Sequence, residues 1–111
     1  MARPAQIKLP PIVHGDTWDG LSVSLTSSGT SLANDLANVV MTFRDASLNK
    51  VLELVTGVNV MITYPNPWQF VIPPLTPFPL NAGTYTWNIE TTDSDGIIKT
   101  YLAGTIQVLQ D

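Results

Sequence analysis

Residues 80–109 constrain this chain more than any other stretch. From Gly83 onward, Tyr85, Trp87 and Ile89 alternate with Thr84, Thr86, Asn88 and Glu90. A period of two puts each set on its own face of a strand, one apolar and one polar. Asp93-Ser94-Asp95-Gly96 then forms a tight turn, with glycine where positive φ is needed. A return strand is expected from Ile97 to Ala103, with a bulge or bend at Gly104 and a continuation over Thr105 to Leu109. The pattern predicts a hairpin, and the remaining segments can be added outward from it.

Upstream, Leu21, Val23 and Leu25 alternate with Ser22, Ser24 and Thr26, a half-buried strand. Val39, Met41 and Phe43 share a face of a strand ending at Arg44. Asp45 to Lys50 is a hairpin loop, and Val51 to Thr56 answers with Leu52 and Leu54 inward. Val58, Val60 and Ile62 mark a further strand to Tyr64, and Gln69 to Ile72 a short one. Residues 31–38 are ambiguous: Leu32, Leu36 and Val39 have helical spacing and Ser31 suits a cap, while Asn34 and Asn38 weaken a helix. Pro73, Pro74, Pro77 and Pro79 exclude a central strand, so that segment is expected to cross between sheets. The sum is about seven or eight short strands with turn signals at sandwich spacing. The fold class is therefore all-β: a two-sheet antiparallel β-sandwich of immunoglobulin-like type. A small barrel is the alternative. Tyr85 sits at the start of a late strand, where such sandwiches place a tyrosine that bonds back to the preceding loop; a plain core role is the alternative.

At 111 residues the chain has the length of one domain. Residues 1–11 read as an extended arm held straight by Pro4, Pro10 and Pro11, and residues 12–111 as the sandwich. Only 13% of residues are charged against 44% hydrophobic, about half the usual charge share, so the surface is expected to be covered by partners. The arm, through Arg3, Ile7, Lys8 and Leu9, is expected to lie on a neighbouring subunit, and Trp18 and Trp68, in loops, to anchor a second contact. A net charge of −4 argues against nucleic acid or an anionic membrane as the main partner. No apolar run approaches a membrane span, and the N-terminus lacks the apolar core of a signal peptide.

The residues supply little chemistry. There is no cysteine, and His14 is the only histidine, so no transition-metal site or cysteine nucleophile is expected. No Gly-x-Ser-x-Gly elbow accompanies His14. Asp93, Asp95 and Gly96 resemble part of a calcium loop but lack its closing glutamate, so they are read as a turn. Glu53 and Glu90, the only glutamates, fall on outward strand positions. No phosphate loop or dinucleotide fingerprint is present. The reading is a non-enzyme with no catalytic, cofactor-binding or metal residues. A carbohydrate-binding face on Trp18 and Trp68 is the alternative.

Three stretches carry a resemblance: Val13-His-Gly-Asp-Thr-Trp18; Asp35-Leu-Ala-Asn-Val-Val-Met-Thr-Phe-Arg44; and Leu80-Asn-Ala-Gly-Thr-Tyr85 with Ile89-Glu-Thr-Thr-Asp-Ser-Asp-Gly96 and Thr100-Tyr-Leu-Ala-Gly-Thr-Ile-Gln-Val108. The pattern resembles small β-sandwich virion proteins of tailed bacteriophages, including the N-terminal anchoring domain of baseplate upper proteins. The resemblance implies a structural protein of the baseplate, tail, neck or capsid surface. Its partners would be other virion proteins and copies of itself, and it would be made in the host cytoplasm and not secreted. The proline-rich arm and the Pro73 to Pro79 segment are not part of that pattern.

Overall fold

The computed structural model describes residues 5–25, 34–64 and 68–110. Among these residues nine strands follow one another: β1 (Ala5–Lys8), β2 (Ile12–Val13), β3 (Leu21–Leu25), β4 (Leu36–Arg44), β5 (Lys50–Val55), β6 (Met61–Tyr64), β7 (Trp68–Ile72), β8 (Gly83–Asp93) and β9 (Ile98–Leu109). They form two sheets. The larger has the order β1-β9-β8-β4-β5, with β2 also on β9, and the smaller has the order β3-β7-β6. In immunoglobulin terms the small sheet matches strands B, E and D, and the large one C′, C, F and G.

The expected hairpin is the centre of the large sheet. β8 and β9 pair from Gly83↔Val108 to Thr92↔Ile98, and β8 also pairs along β4 from Leu36↔Asp93 to Arg44↔Thr86. Tyr85, Trp87 and Ile89 are buried, as their alternation predicts. The bulge falls elsewhere than expected. The register shifts between Ile89 and Glu90, while Gly104 pairs in register with Trp87. Gly104 leaves the ladder intact and places no side chain opposite the indole, whose Nε1 donates to the Thr105 carbonyl at 3.2 Å. Tyr85 makes the bond expected of a corner tyrosine: its hydroxyl donates to the Asn81 carbonyl at 2.7 Å.

The core lies between the sheets. Val39, Met41 and Phe43 of β4, Phe70 and Ile72 of β7, and Leu54, Ile106 and Val108 are all buried in one hydrophobic cluster. Thr91 is fully buried, and its hydroxyl donates to the Lys99 carbonyl. That bond avoids the cost of an unsatisfied buried polar group, about 1–3 kcal/mol. The proline-rich segment crosses between the sheets as expected. Leu75 and Trp18 exchange backbone bonds of 2.9 Å each, and Phe78 and Leu80 are buried. The Thr76–Pro77 peptide is cis.

Two further expectations are corrected, and one ambiguity is settled. The N-terminal segment is not a free arm from Ala5 onward. β1 and β2 run parallel to the chain's own β9, and Pro10 and Pro11 only interrupt the ladder between them. Prolines are tolerated there because this is an edge, where one row of backbone N–H groups has no partner strand. The strand expected from Val58 starts later, at Met61, because residues 57–59 turn and leave Val58 exposed. Finally, Leu36 and Asn38 are in β4 rather than a helical turn; residues 31–33 lie outside the described residues.

Trp87→Ala is expected to cost about 3–5 kcal/mol, read from chemical or thermal unfolding. Tyr85→Phe should cost about 1 kcal/mol, the net value of one hydrogen bond. An unchanged melting curve for Trp87→Ala would refute the packing described.

Candidate functional site

Candidate residues divide by where the two sheets leave them. Trp18 lies in the loop between β2 and β3, yet its ring enters the core. It sits edge-on to Phe43 at 6.2 Å and tilted to Phe78 at 5.5 Å, and only 6% of it is exposed. Trp68 begins β7, is 3% exposed, and donates its Nε1–H to the Asn34 carbonyl at 2.8 Å. Leu9 is 5% exposed, and its N–H bonds the Thr105 carbonyl. These three were expected to contact other chains, and each instead packs within its own sandwich. Trp18 is carried inward by its loop, whereas Trp68 points inward because it shares the buried face of β7 with Phe70 and Ile72.

Lys8 is exposed at the end of β1. Ile7 pairs with Gly104 in the β1–β9 ladder. Arg3 lies outside the described residues. The expected interface set is therefore not one surface patch.

The turn between β8 and β9 is a closed hydrogen-bond network. Asp93 Oδ1 accepts from the N–H groups of Asp95 and Ile97 at 2.9 and 3.0 Å. Asn34 Nδ2 donates to Asp93 Oδ2 at 3.2 Å and to Asp95 Oδ2 at 3.1 Å. These carboxylates serve the turn, as the sequence suggests. Partial desolvation pushes the Asp93 carboxyl up. The Ile97 N–H, the Asn34 amide, the Asp95 N–H and the charge on Lys99 outweigh it, and the carboxyl titrates below its ordinary range.

Several depressions mark the surface of the described residues, among them a shallow one of about 200 Å³ over Ser22, Ser24, Thr63, Gln69 and Val71. One, of about 330 Å³, is lined by His14, Asn81, Ala82 and Gln110. His14 is exposed, and its backbone N–H bonds the Leu109 carbonyl. A second, of about 340 Å³, lies over Gly104 with Arg44, Thr86, Asn88 and Thr105 around it, and Arg44 donates to Asn88 Oδ1 at 3.3 Å. A third, of about 180 Å³, is lined by Leu9, Pro10, Pro11, Ile12, Trp18 and Leu21. Glu53 pairs with Lys50 at 3.1 Å on exposed β5, and Glu90 is exposed on β8, with β4 between the two strands. Among the described residues, no group of three or more His, Cys, Asp or Glu could hold a metal ion. Among them, no nucleophile–base–acid set converges on any of these depressions.

Sequence reasoning passed over the strand edges, because an edge is a property of sheet order. Among the described residues, the large sheet ends at β1–β2 and at β5, and the small one at β3 and at β6. Exposed apolar side chains lie on or beside two of these edges: Leu48 and Val51 near β5, and Val58, Met61 and Tyr64 at β6.

No family model matches the chain, and no curated protein matches it. Among solved structures the chain is similar to CopC from Methylosinus trichosporium OB3b, at 13% identity and a TM-score of 0.50, over 90% of this chain and 84% of that one. At that identity the likeness speaks for the β-fold alone.

The Asp93 carboxyl gives a pH test. Its folded value is lowered, so its contribution to stability is full above its unfolded value, near pH 4, and is lost as pH falls below that. Asp93→Asn should leave a melting temperature that declines less steeply from about pH 4 to pH 2 than that of the parent. Parallel declines would show that the turn network does not hold this charge.

Proposed function

We propose that the protein is a non-enzymatic structural component of a bacteriophage particle, in the baseplate, tail, neck or capsid surface, assembled through protein–protein contacts. The observation that carries this reading is the disposition of the surface. The aromatic rings best suited to gripping a small ligand, Trp18, Trp68 and Trp87, are in the core. What faces outward is strand edge and sheet face, such as Thr84, Thr86 and Glu90 on β8 and Thr105 and Gln107 on β9. Flat polar sheet faces and open backbone edges favour other protein chains over a small substrate, because such a ligand is gripped in a concave, largely apolar site. The sparse charge, 13% of residues, points the same way.

This reading places docking on the sheets rather than on an N-terminal arm, since β1 already pairs with β9. The carbohydrate-binding alternative rested on exposed loop tryptophans, and both are buried. In the genome that carries this chain, the flanking reading frames should encode head or tail proteins, and antibodies to the chain should decorate purified particles in a regular pattern. Metabolic neighbours with undecorated particles would refute the assignment, as would turnover of a substrate by the purified chain.

A further inference from the structure

Proteins protect strand edges with proline, charge, bulges or short length, because a bare edge accepts another strand. Three of the four edges here carry such a device. The β1–β2 edge is broken by exposed Pro10 and Pro11. The β5 edge carries the Lys50–Glu53 ion pair, whose side chains are 54% and 41% exposed. The β6 strand is four residues long, and its register to β7 shifts between Ile62 and Tyr64.

β3 has none of them. It pairs with β7 in unbroken register from Leu21↔Ile72 to Leu25↔Trp68, and it contains neither proline nor charge. No strand flanks its other side among the described residues. An immunoglobulin constant-type sandwich places its first strand there, beside strand B; here the N-terminal strands lie on β9 instead.

The sequence of β3 indicates what pairs with it. Leu21-Ser22-Val23-Ser24-Leu25 reads the same in both directions. Leu21 and Val23 pack against the core, while Ser22 and Ser24 are exposed on the outer face. A two-fold axis perpendicular to the sheet and passing through Val23 keeps both faces in place. It sets Val23 opposite Val23 of the partner subunit, Ser22 opposite Ser24 of the partner subunit, and Leu21 opposite Leu25 of the partner subunit. Like meets like at every pair, the self-complementarity an isologous contact needs. An axis through Ser22 or Ser24 would use fewer of the five residues. An axis between residues would bring serine against an apolar side chain, which the pleat does not allow.

We infer that β3 is a self-association edge: two copies pair antiparallel through Leu21–Leu25, joining their three-stranded sheets into one of six strands. The inference goes beyond the assignment to a particle and does not depend on it. A five-residue ladder buries less than a standard interface, so the purified chain should pass from one-chain to two-chain mass over roughly 10 µM to 1 mM.

The test is sedimentation velocity with light scattering on the purified full chain and two variants. Ser22→Lys with Ser24→Lys sets like charges opposite each other at two places across the axis, and should hold the protein at one-chain mass throughout. Ser22→Lys with Ser24→Glu sets opposite charges there, and should restore the two-chain species. Both serines are exposed, and the melting temperature of each variant confirms that the fold persists. The inference is overturned if the parent chain stays at one-chain mass, if the double lysine variant associates like the parent, or if the lysine–glutamate variant fails to associate. Particle decoration tests the functional assignment separately, so either can fail alone.

Discussion

The pairing of β8 with both β9 and β4 is the interaction the rest of this molecule depends on. β8 is the strand that joins β4 and β5 to β9 and, through β9, to β1 and β2. Its inner face carries Tyr85, Trp87, Ile89 and Thr91, all buried. Each of these positions is supported by a specific arrangement. Tyr85 is tied to Asn81, Trp87 stands opposite Gly104, and Thr91 bonds the Lys99 carbonyl. The small sheet has only three strands, so the large sheet's inner face also needs cover from the connections. Trp18, Leu75, Phe78 and Leu80 supply it.

That need explains where the loop aromatics go. A sandwich with one narrow sheet leaves the margins of the wide one exposed. Filling each margin with a ring removes roughly 150–250 Å² of apolar surface from water. Trp18 against Phe43 and Phe78 is one such plug. Trp68, held by the Asn34 carbonyl, is another. What is left for contact is backbone along the strand edges and polar side chains on the outer faces. Among the described residues the sheet edges differ in how far proline, charge and irregular register protect them.

Much of the fold was legible in the residues, because period-two alternation and turn chemistry are local properties. The strands around Leu21, Met41, Leu54, Phe70, Trp87 and Ile106 sit where alternation puts them. The turn at Asp93 to Gly96 forms from the bonds its side chains invite. The surface was less legible. Leu9 and Trp18 lie outside regular alternation, and sequence position alone does not say which loop folds back over a gap; Trp68 instead extends the alternation of Phe70 and Ile72 by one step, to the first residue of β7. A glycine inside a strand does not by itself mark a bulge: Gly104 pairs in register with Trp87, and the shift falls between Ile89 and Glu90.

The sequence by itself determined most of the strands from β3 onward, the inward set of β4 and β8, the turn at Asp93 to Gly96 and the lack of cysteine and of a second histidine. These follow from side-chain direction, glycine's tolerance of positive φ and plain composition. Only the tertiary structure decided that the N-terminal segment belongs to the large sheet, that Trp18 and Trp68 are core, and that β3 is an edge among the described residues. Each of those depends on which strands become neighbours. Hydrogen bonds and contacts between residues far apart in the chain decide that, and no local pattern records it.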